Sequence, residues 1–360
     1  MGLPLVPLPA YCLPLTSHLM TAPNLFAQQE SNRKRARWLV AGFLLFFAWI
    51  GFGGDLGFYL LTRENESGYH HTIPFIGIFM TLVAGAICWY SFRKGPARVL
   101  WAAGASELVG AATPEHQQLI NVVEEMAIAS GLPLPKVWVV PDEDPNAFAT
   151  GLDDQHANIA VTEGLLKALS RDELQAVVAH EMAHIKNLDV RLMTLLAAMV
   201  GAIALMSDGF GRMLGRGGVR VGGGGKGGGK KGNQLAILIL VLWVITLIIA
   251  PIVTRLLAMA VSRKREYLAD ATAAQFTRNP GALATALEKL DGAAGATRSI
   301  TKGAAHLCIV DPGERKLSAR EGRLADIFAS HPPINQRITR LKGMAYQQEK
   351  RASAATNAES

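Results

Sequence analysis

The sequence predicts an α+β catalytic domain with a small mixed β-sheet, embedded with about four transmembrane helices. Three observations lead there. His180-Glu181-Met182-Ala183-His184 sets two imidazoles one helical turn apart with a carboxylate beside them. Apolar runs long enough to cross a bilayer lie on both sides of that motif. The stretch from Pro114 to Thr162 mixes helical with strand periodicity.

Residues four apart on a helix share a face, so His180 and His184 can converge on one metal ion while Glu181 stays within reach of a water that the ion activates. This is the H-E-x-x-H zinc-hydrolase pattern. Its three fixed letters are too few to stand alone, and the flanks supply the context. Ser170-Arg171-Asp172-Glu173 has the form of a capping box, and Leu174, Val177, Val178, His180, Glu181 and His184 follow at helical spacing. The motif therefore belongs on a helix.

A catalytic zinc site takes three protein ligands and keeps one position open, so a third ligand must be found. The metzincin arrangement would put Gly at position 187 and His at 190, but Asn187 and Val190 stand there and exclude it. The remaining common solution is a glutamate on a second helix. The segment from Ser262 to Asp270 offers Glu266, with Asp270 one turn further on the same face. There Asp270 can accept a hydrogen bond from the far nitrogen of a ligand imidazole, that of His180, and fix its tautomer. Taken alone, Asp270 also suits an i,i+4 salt bridge to the basic residues before it.

Half of the 360 residues are hydrophobic and the mean hydropathy is +0.21, high for a soluble enzyme. Trp38 to Leu61 and Ile73 to Tyr90 can each cross a bilayer, and Gln234 to Val261 is the strongest candidate. Leu192 to Met206 is short and Ala-rich, and spans only if the helix carrying the zinc motif continues straight into it. Arg33, Lys34, Arg35 and Arg37 precede the first span, and Arg93, Lys94 and Arg98 follow the second, which places both regions in the cytoplasm. One stretch disagrees. The connection from Asp208 to Asn233 is also basic, yet it lies outside if both later segments span; either the rule is overridden there or that hairpin does not fully cross. The pI near 9.4 follows from juxtamembrane charge facing anionic lipid and calls for no nucleic-acid partner. Cys12, Cys88 and Cys308 are scattered and odd in number, so no disulfide framework is suggested.

These readings divide the chain into a cytoplasmic N-terminal leader (1–37), a transmembrane hairpin (38–92), the first part of the catalytic domain (93–188), a second hydrophobic hairpin (189–261) with a Gly-rich linker at 208–233, the second catalytic part (262–346) and a disordered polar tail (347–360). The proline-rich start from Met1 to Met20 lacks the basic n-region of a signal peptide, and Met1 and Met20 are both open as the true start. Within the catalytic parts, Pro114–Ser130 reads as a helix stopped by Gly131, and Lys136–Val140, Ala147–Gly151 and Asn158–Thr162 as strands. An edge of that sheet beside the metal would let an extended peptide add as a strand. Pro280 to Asp291 and the segment containing Arg337 read as further helices. Gly224 to Lys230 superficially fits a phosphate loop, but Lys231 stands where Ser or Thr should bind magnesium and no strand leads in.

Together with Asn24-Leu25-Phe26, Asn146-Ala147-Phe148-Ala149-Thr150-Gly151, Arg265-Glu266-Tyr267-Leu268-Ala269-Asp270 and His331-Pro332-Pro333 followed by Arg337, the zinc helix makes the chain resemble the HtpX-type membrane zinc endopeptidases, relatives of the integral-membrane CAAX prenyl proteases. The resemblance covers nearly everything after Met20. It implies a zincin-like fold of the gluzincin type, a cytoplasmic catalytic face in the bacterial inner membrane and a role in quality control of damaged or misfolded membrane proteins. It also implies that His331 and Arg337 help bind substrate or the tetrahedral intermediate and that Asn146 contacts the peptide near the metal.

The expected activity is peptide-bond hydrolysis on membrane-protein or unfolded polypeptide substrates, with His180, His184 and Glu266 holding one Zn2+ per subunit and Glu181 as the base. Two other readings compete. A CAAX-type protease acting on prenylated tails would cut near a lipidated cysteine, but such relatives carry more spans. A non-catalytic metal-stabilised membrane scaffold would need no base and no open ligand position, and Glu181 argues against it. Oligomeric state is not encoded in any recognisable motif.

Overall fold

Two long apolar helices and a small sheet with helices packed on it account for most of what the computed structural model describes, namely residues 25–62, 73–196, 264–293, 307–310 and 332–359. In chain order the elements are α1 (Leu25–Thr62), α2 (Phe75–Ala102), β1 (Ser106–Glu107), α3 (Pro114–Ser130), β2 (Lys136–Val140), β3 (Ala147–Thr150), β4 (Asn158–Thr162), α4 (Glu163–Ala168), α5 (Arg171–Lys186), α6 (Lys264–Thr277), α7 (Pro280–Asp291) and α8 (Ile334–Glu359). The second hydrophobic hairpin beyond residue 196, its glycine-rich linker, the Met1–Met20 leader and His331 lie outside the described residues.

Small residues let α1 and α2 touch. A Cβ on Gly51 would stand 2.7 Å from the Gly77 Cα, so nothing larger than glycine fits that crossing. Asp55 of α1 accepts from the Gly77 N–H at 2.6 Å and the Ile76 N–H at 3.4 Å, satisfying donors that the first turn of α2 cannot pair internally. Trp38, Leu45, Trp49, Phe79, Leu82 and Trp89 are exposed on the outside of the pair. Gln29–Gly57 and Phe75–Ala102 are long and apolar enough to cross a membrane by length and composition.

Both helices overrun the expected boundaries. α1 begins at Leu25, so residues 25–37 of the expected leader are helical. α2 continues through Pro96 to Ala102, where Val99, Leu100 and Ala103 pack on Val140, Phe148, Ala160 and Cys308 of the catalytic domain. The helix is thus shared between the hairpin and the domain, because its last apolar residues have a core to enter.

The sheet has the order β1-β2-β4-β3, with β2 and β4 parallel and the outer pairs antiparallel. Every residue of β3 and β4 is buried. On this sheet lies the main core, drawn from α3 (Leu119, Val123), α5 (Val177, Met182) and α7 (Leu283, Leu287). The far side of β3 is covered too: Cys308 bridges Phe148 and the Ile309 N–H donates to the Ala147 carbonyl at 3.0 Å. The edge expected to receive a peptide is therefore occupied at Ala147 and Phe148 by the chain's own residues 307–310.

α5 is held at its start and broken at its end. Ser170 and Glu173 form the reciprocal capping box, with the Ser170 N–H donating to Glu173 Oε2 at 2.8 Å. At the other end Leu188 adopts φ 56°, and a new helical stretch covers residues 189–196. The zinc-motif helix consequently does not run straight into the Leu192 segment. At the C-terminus, by contrast, α8 carries on to Glu359, so residues 347–359, expected as a disordered tail, are helical. Gln347, Gln348, Glu349, Lys350, Arg351 and the alanines after them are good helix formers and prolong a helix already started by packing at Ile338 and Leu341.

Loss of the cap should be measurable. Ser170→Ala is expected to lower stability by about 1 kcal/mol, read from chemical or thermal unfolding. Burial opposes ionisation of Glu173, but Lys289 Nζ at 2.6 Å and the Ser170 N–H outweigh it and hold the carboxyl below the usual range. That contribution is present above the ordinary carboxylate pKa and is lost as the pH falls through the lowered value; Glu173→Gln should flatten this acid-side loss.

Candidate metal centre and active site

The capping box fixes the start of α5 and the core fixes its rotation, so His180 and His184 emerge on one face toward α6. Their Nε2 atoms lie 3.2 Å apart, with the rings at 90°. Glu266, in the first turn of α6, reaches 3.6 Å from His180 Nε2 through Oε2 and 3.7 Å from His184 Nε2 through Oε1. One ligand atom from each of the three residues can be chosen so that all lie within 4.8 Å of one another. A tetrahedral zinc with ligands at its usual bond lengths needs donor separations of about 3.3–3.4 Å. Two imidazole nitrogens and a carboxylate at these separations fit zinc.

Access is one-sided. His180 is fully buried and Glu266 nearly so, whereas the His184 side chain is 15 % exposed. It opens on a small cleft lined by Glu181, His184 and Glu266, by Ala149 of β3, and by Leu307 and Ile309.

Behind the cleft the charges are paired. His180 Nδ1 is 3.1 Å from Asp270 Oδ1, and Arg337 grips the same carboxylate with both arms, Nε to Oδ2 at 3.0 Å and Nη2 to Oδ1 at 2.7 Å. Arg337 also donates to the Ile309 carbonyl at 3.1 Å and stands 3.4 Å from Glu266 Oε2. Burial alone would depress the His180 imidazolium, but Asp270 and Glu266 beside it raise its pKa to about 9. Burial would raise Asp270; the Arg337 charge and the His180 hydrogen bond hold it low instead. For Glu181 burial prevails and pushes the carboxyl upward against the pull of both imidazoles.

His180, Glu181, His184, Glu266 and Asp270 are thus gathered at one place. Asn146 and Arg337 are not on the cleft wall. Both are fully buried: the Asn146 carboxamide donates to the Val310 carbonyl at 3.0 Å and accepts from the Ala147 N–H at 3.0 Å, while Arg337 holds Asp270 and Ile309. They brace the segment that walls the cleft, and Arg337 Nη2 also lies 3.3 Å from His180 Nε2. Sequence reading missed Asp189, whose Oδ2 is 3.1 Å from His184 Nδ1. A continuous helix would carry a residue five positions on away from the histidine face; the break at Leu188 folds it back. It also missed Arg265, buried 3.8 Å from Asp189 Oδ1.

Two imidazoles and a carboxylate converging from two helices, with a buried acid at the mouth of a cleft, define a metallopeptidase site. The sequence pattern described as "Peptidase family M48" matches residues 114–345, and the chain belongs to that family. It is 39% identical over 326 residues to "Protease HtpX homolog" of Caldanaerobacter subterraneus subsp. tengcongensis, covering 90% of this chain and 99% of that one. The protein of the same description from Tropheryma whipplei (strain Twist) is 40% identical over 312 residues, covering 87% and 98%, and that of Streptococcus gordonii 33% identical over 320 residues, covering 89% and 100%. Among solved structures, that titled "Crystal Structure of S. mikatae Ste24p" aligns with 88% of this chain and 66% of its own length, at 18% identity and a TM-score of 0.43. The protein is a membrane-associated metalloprotease of a zinc-dependent family.

Removing Arg337 would leave the Asp270 and Glu266 carboxylates buried without their cation. Arg337→Met should therefore cost about 3–5 kcal/mol in chemical denaturation, and Arg337→Lys, which keeps the charge but not the fork, less.

Proposed function

We propose that the protein is a zinc endopeptidase of the cell inner membrane that cuts misfolded or damaged membrane proteins at the cytoplasmic face, as part of protein quality control. The observation that carries the proposal is the convergence of His180, His184 and Glu266 beside Glu181, on a cleft that, among the described residues, opens at the His184 side. His180, His184 and Glu266 would hold the zinc, one per subunit, and Asp270 would keep the His180 imidazole oriented from behind. When bound, zinc supplies the Lewis acidity that activates water and polarises a scissile carbonyl.

The chain's own residues then divide the work. Glu181 takes a proton from the attacking water and returns it to the leaving amine; a carboxyl raised by burial is better matched to that exchange than an ordinary one. Ala149 of β3, with Leu307 and Ile309 of the segment paired to it, would line one side of an extended substrate. Asn146 and Arg337 serve substrate binding indirectly, by fixing residues 307–310. His331 is assigned to the substrate on the family resemblance.

The basic residues in the first turns of α1 and near the end of α2 favour a cytoplasmic catalytic domain, and the apolar Gln234–Val261 favours further spans, for about four in all. A CAAX-type protease fits less well, since the full-length relatives bear the description "Protease HtpX homolog".

Glu181→Gln should retain zinc and lose cleavage of casein by the purified protein, whereas Glu266→Gln should lose zinc and activity together; cleavage that survives in Glu181→Gln removes the base from the mechanism. A chelator should abolish cleavage and added zinc restore it. Preferential cutting of a farnesylated peptide would favour the prenyl-tail reading. A reporter fused near Gly224 should be inactive in the cytoplasm, and cytoplasmic activity there would remove the second pair of spans.

A further inference from the structure

The polar first turns of α1 lie against the end of α5. Gln29, Asn32, Ala36 and Leu39 form one stripe at helical spacing. Gln29 Nε2 donates to the Lys186 carbonyl at 2.7 Å, and Ala36 and Leu39 pack on Leu192 and Leu195. Asn32 sits in the middle of the stripe, 1 % exposed, between two exposed flanks that carry Arg33, Lys34 and Arg35. Its Nδ2 donates to the Asn187 carbonyl at 3.0 Å and to Asp189 Oδ1 at 2.6 Å. The other oxygen of Asp189 faces His184 Nδ1 at 3.1 Å.

A chain of contacts therefore runs from an apolar helix to the imidazole nitrogen opposite the one that faces Glu266. A ligand histidine whose far nitrogen is held by a carboxylate keeps one tautomer and one ring angle, and a carboxylate that is itself hydrogen-bonded holds its own position. His184 needs this more than His180, because it is the ligand on the open side and lies just before the helix break. Arg265 helps to balance the Asp189 charge at 3.8 Å but stands too far away to orient it.

We infer that Asp189 is the positioning residue for His184 and that Asn32 of α1 positions Asp189, so that the first apolar helix is a working part of the metal centre. This rests on His184 being a zinc ligand. The same contacts imply that detaching α1 from α5 weakens zinc binding without touching any ligand.

The test uses the full-length protein in detergent, with zinc affinity read by chelator competition and the visible spectrum of the cobalt-loaded protein as a probe of ligand geometry. Asp189→Ala should weaken zinc binding about 10- to 100-fold and change the cobalt spectrum, and Asp189→Asn, which keeps an acceptor for His184, should recover part of the loss. Asn32→Ala should weaken it at least about fivefold. Gln29→Ala removes a neighbouring contact of the same stripe that does not reach Asp189; it should shift the thermal midpoint of the metal-free protein and leave zinc affinity unchanged. Wild-type affinity and spectrum in Asn32→Ala or Asp189→Ala would overturn the inference, as would an equal loss in Gln29→Ala, which would make the effect one of docking alone. If Asp189→Ala does not fold, Asp189→Asn and Asn32→Ala decide by the same criteria. His184→Ala separates the two levels: if it binds zinc normally, the ligand assignment itself fails.

Discussion

His180, Glu266, Asp270 and Arg337 are buried together, two carboxylates against a guanidinium and an imidazole, and neither the carboxylates nor the guanidinium could stay ionised there alone. Their mutual compensation dictates how the catalytic domain is assembled. α5 supplies the histidine, α6 both acids and α8 the arginine, so the three helices must meet at one point whatever else the fold does. The fork of Arg337 makes that meeting directional, since both of its arms fit one carboxylate only at one angle. The guanidinium also takes up the Ile309 carbonyl, and with it the segment that walls the cleft is fixed to the charge cluster.

Residues 307–310 link that cluster to the sheet. Asn146 holds them at Val310, Ala147 at Ile309 and Phe148 at Cys308, so they lengthen the sheet by one short rung beside the metal site. Their backbone polar groups are satisfied there, and their apolar side chains close the main core and its smaller neighbour. One wall of the cleft is therefore made of residues 307–309, with Ala149 as the part of β3 that reaches it.

Most of the catalytic half could be read from local pattern. The capping box gave the start of α5, Gly131 the end of α3, and alternating or β-branched runs the three longer strands. Glu266 and Asp270 followed from chemistry, because a zinc site lacking a third histidine needs an acid on a second helix. What escaped were features that depend on a break in periodicity or on contacts far apart in sequence. Asp189 lies beyond a residue with positive φ, which helical arithmetic does not anticipate. Asn32 is separated from its partner by 157 positions and sits in a stretch whose charge suggested only membrane orientation. Asn146 and Arg337 could be named only from family resemblance, because their contacts with residues 307–310 and Asp270 join parts of the chain far apart in sequence.

α2 runs for 28 residues, roughly 42 Å of helix, and its last turns are part of the catalytic core. A bilayer's hydrocarbon takes up about 30 Å of such a rod. With α2 crossing as proposed, the remainder is a stiff stalk, not a tether, and it sets the height of the scissile bond above the lipid surface.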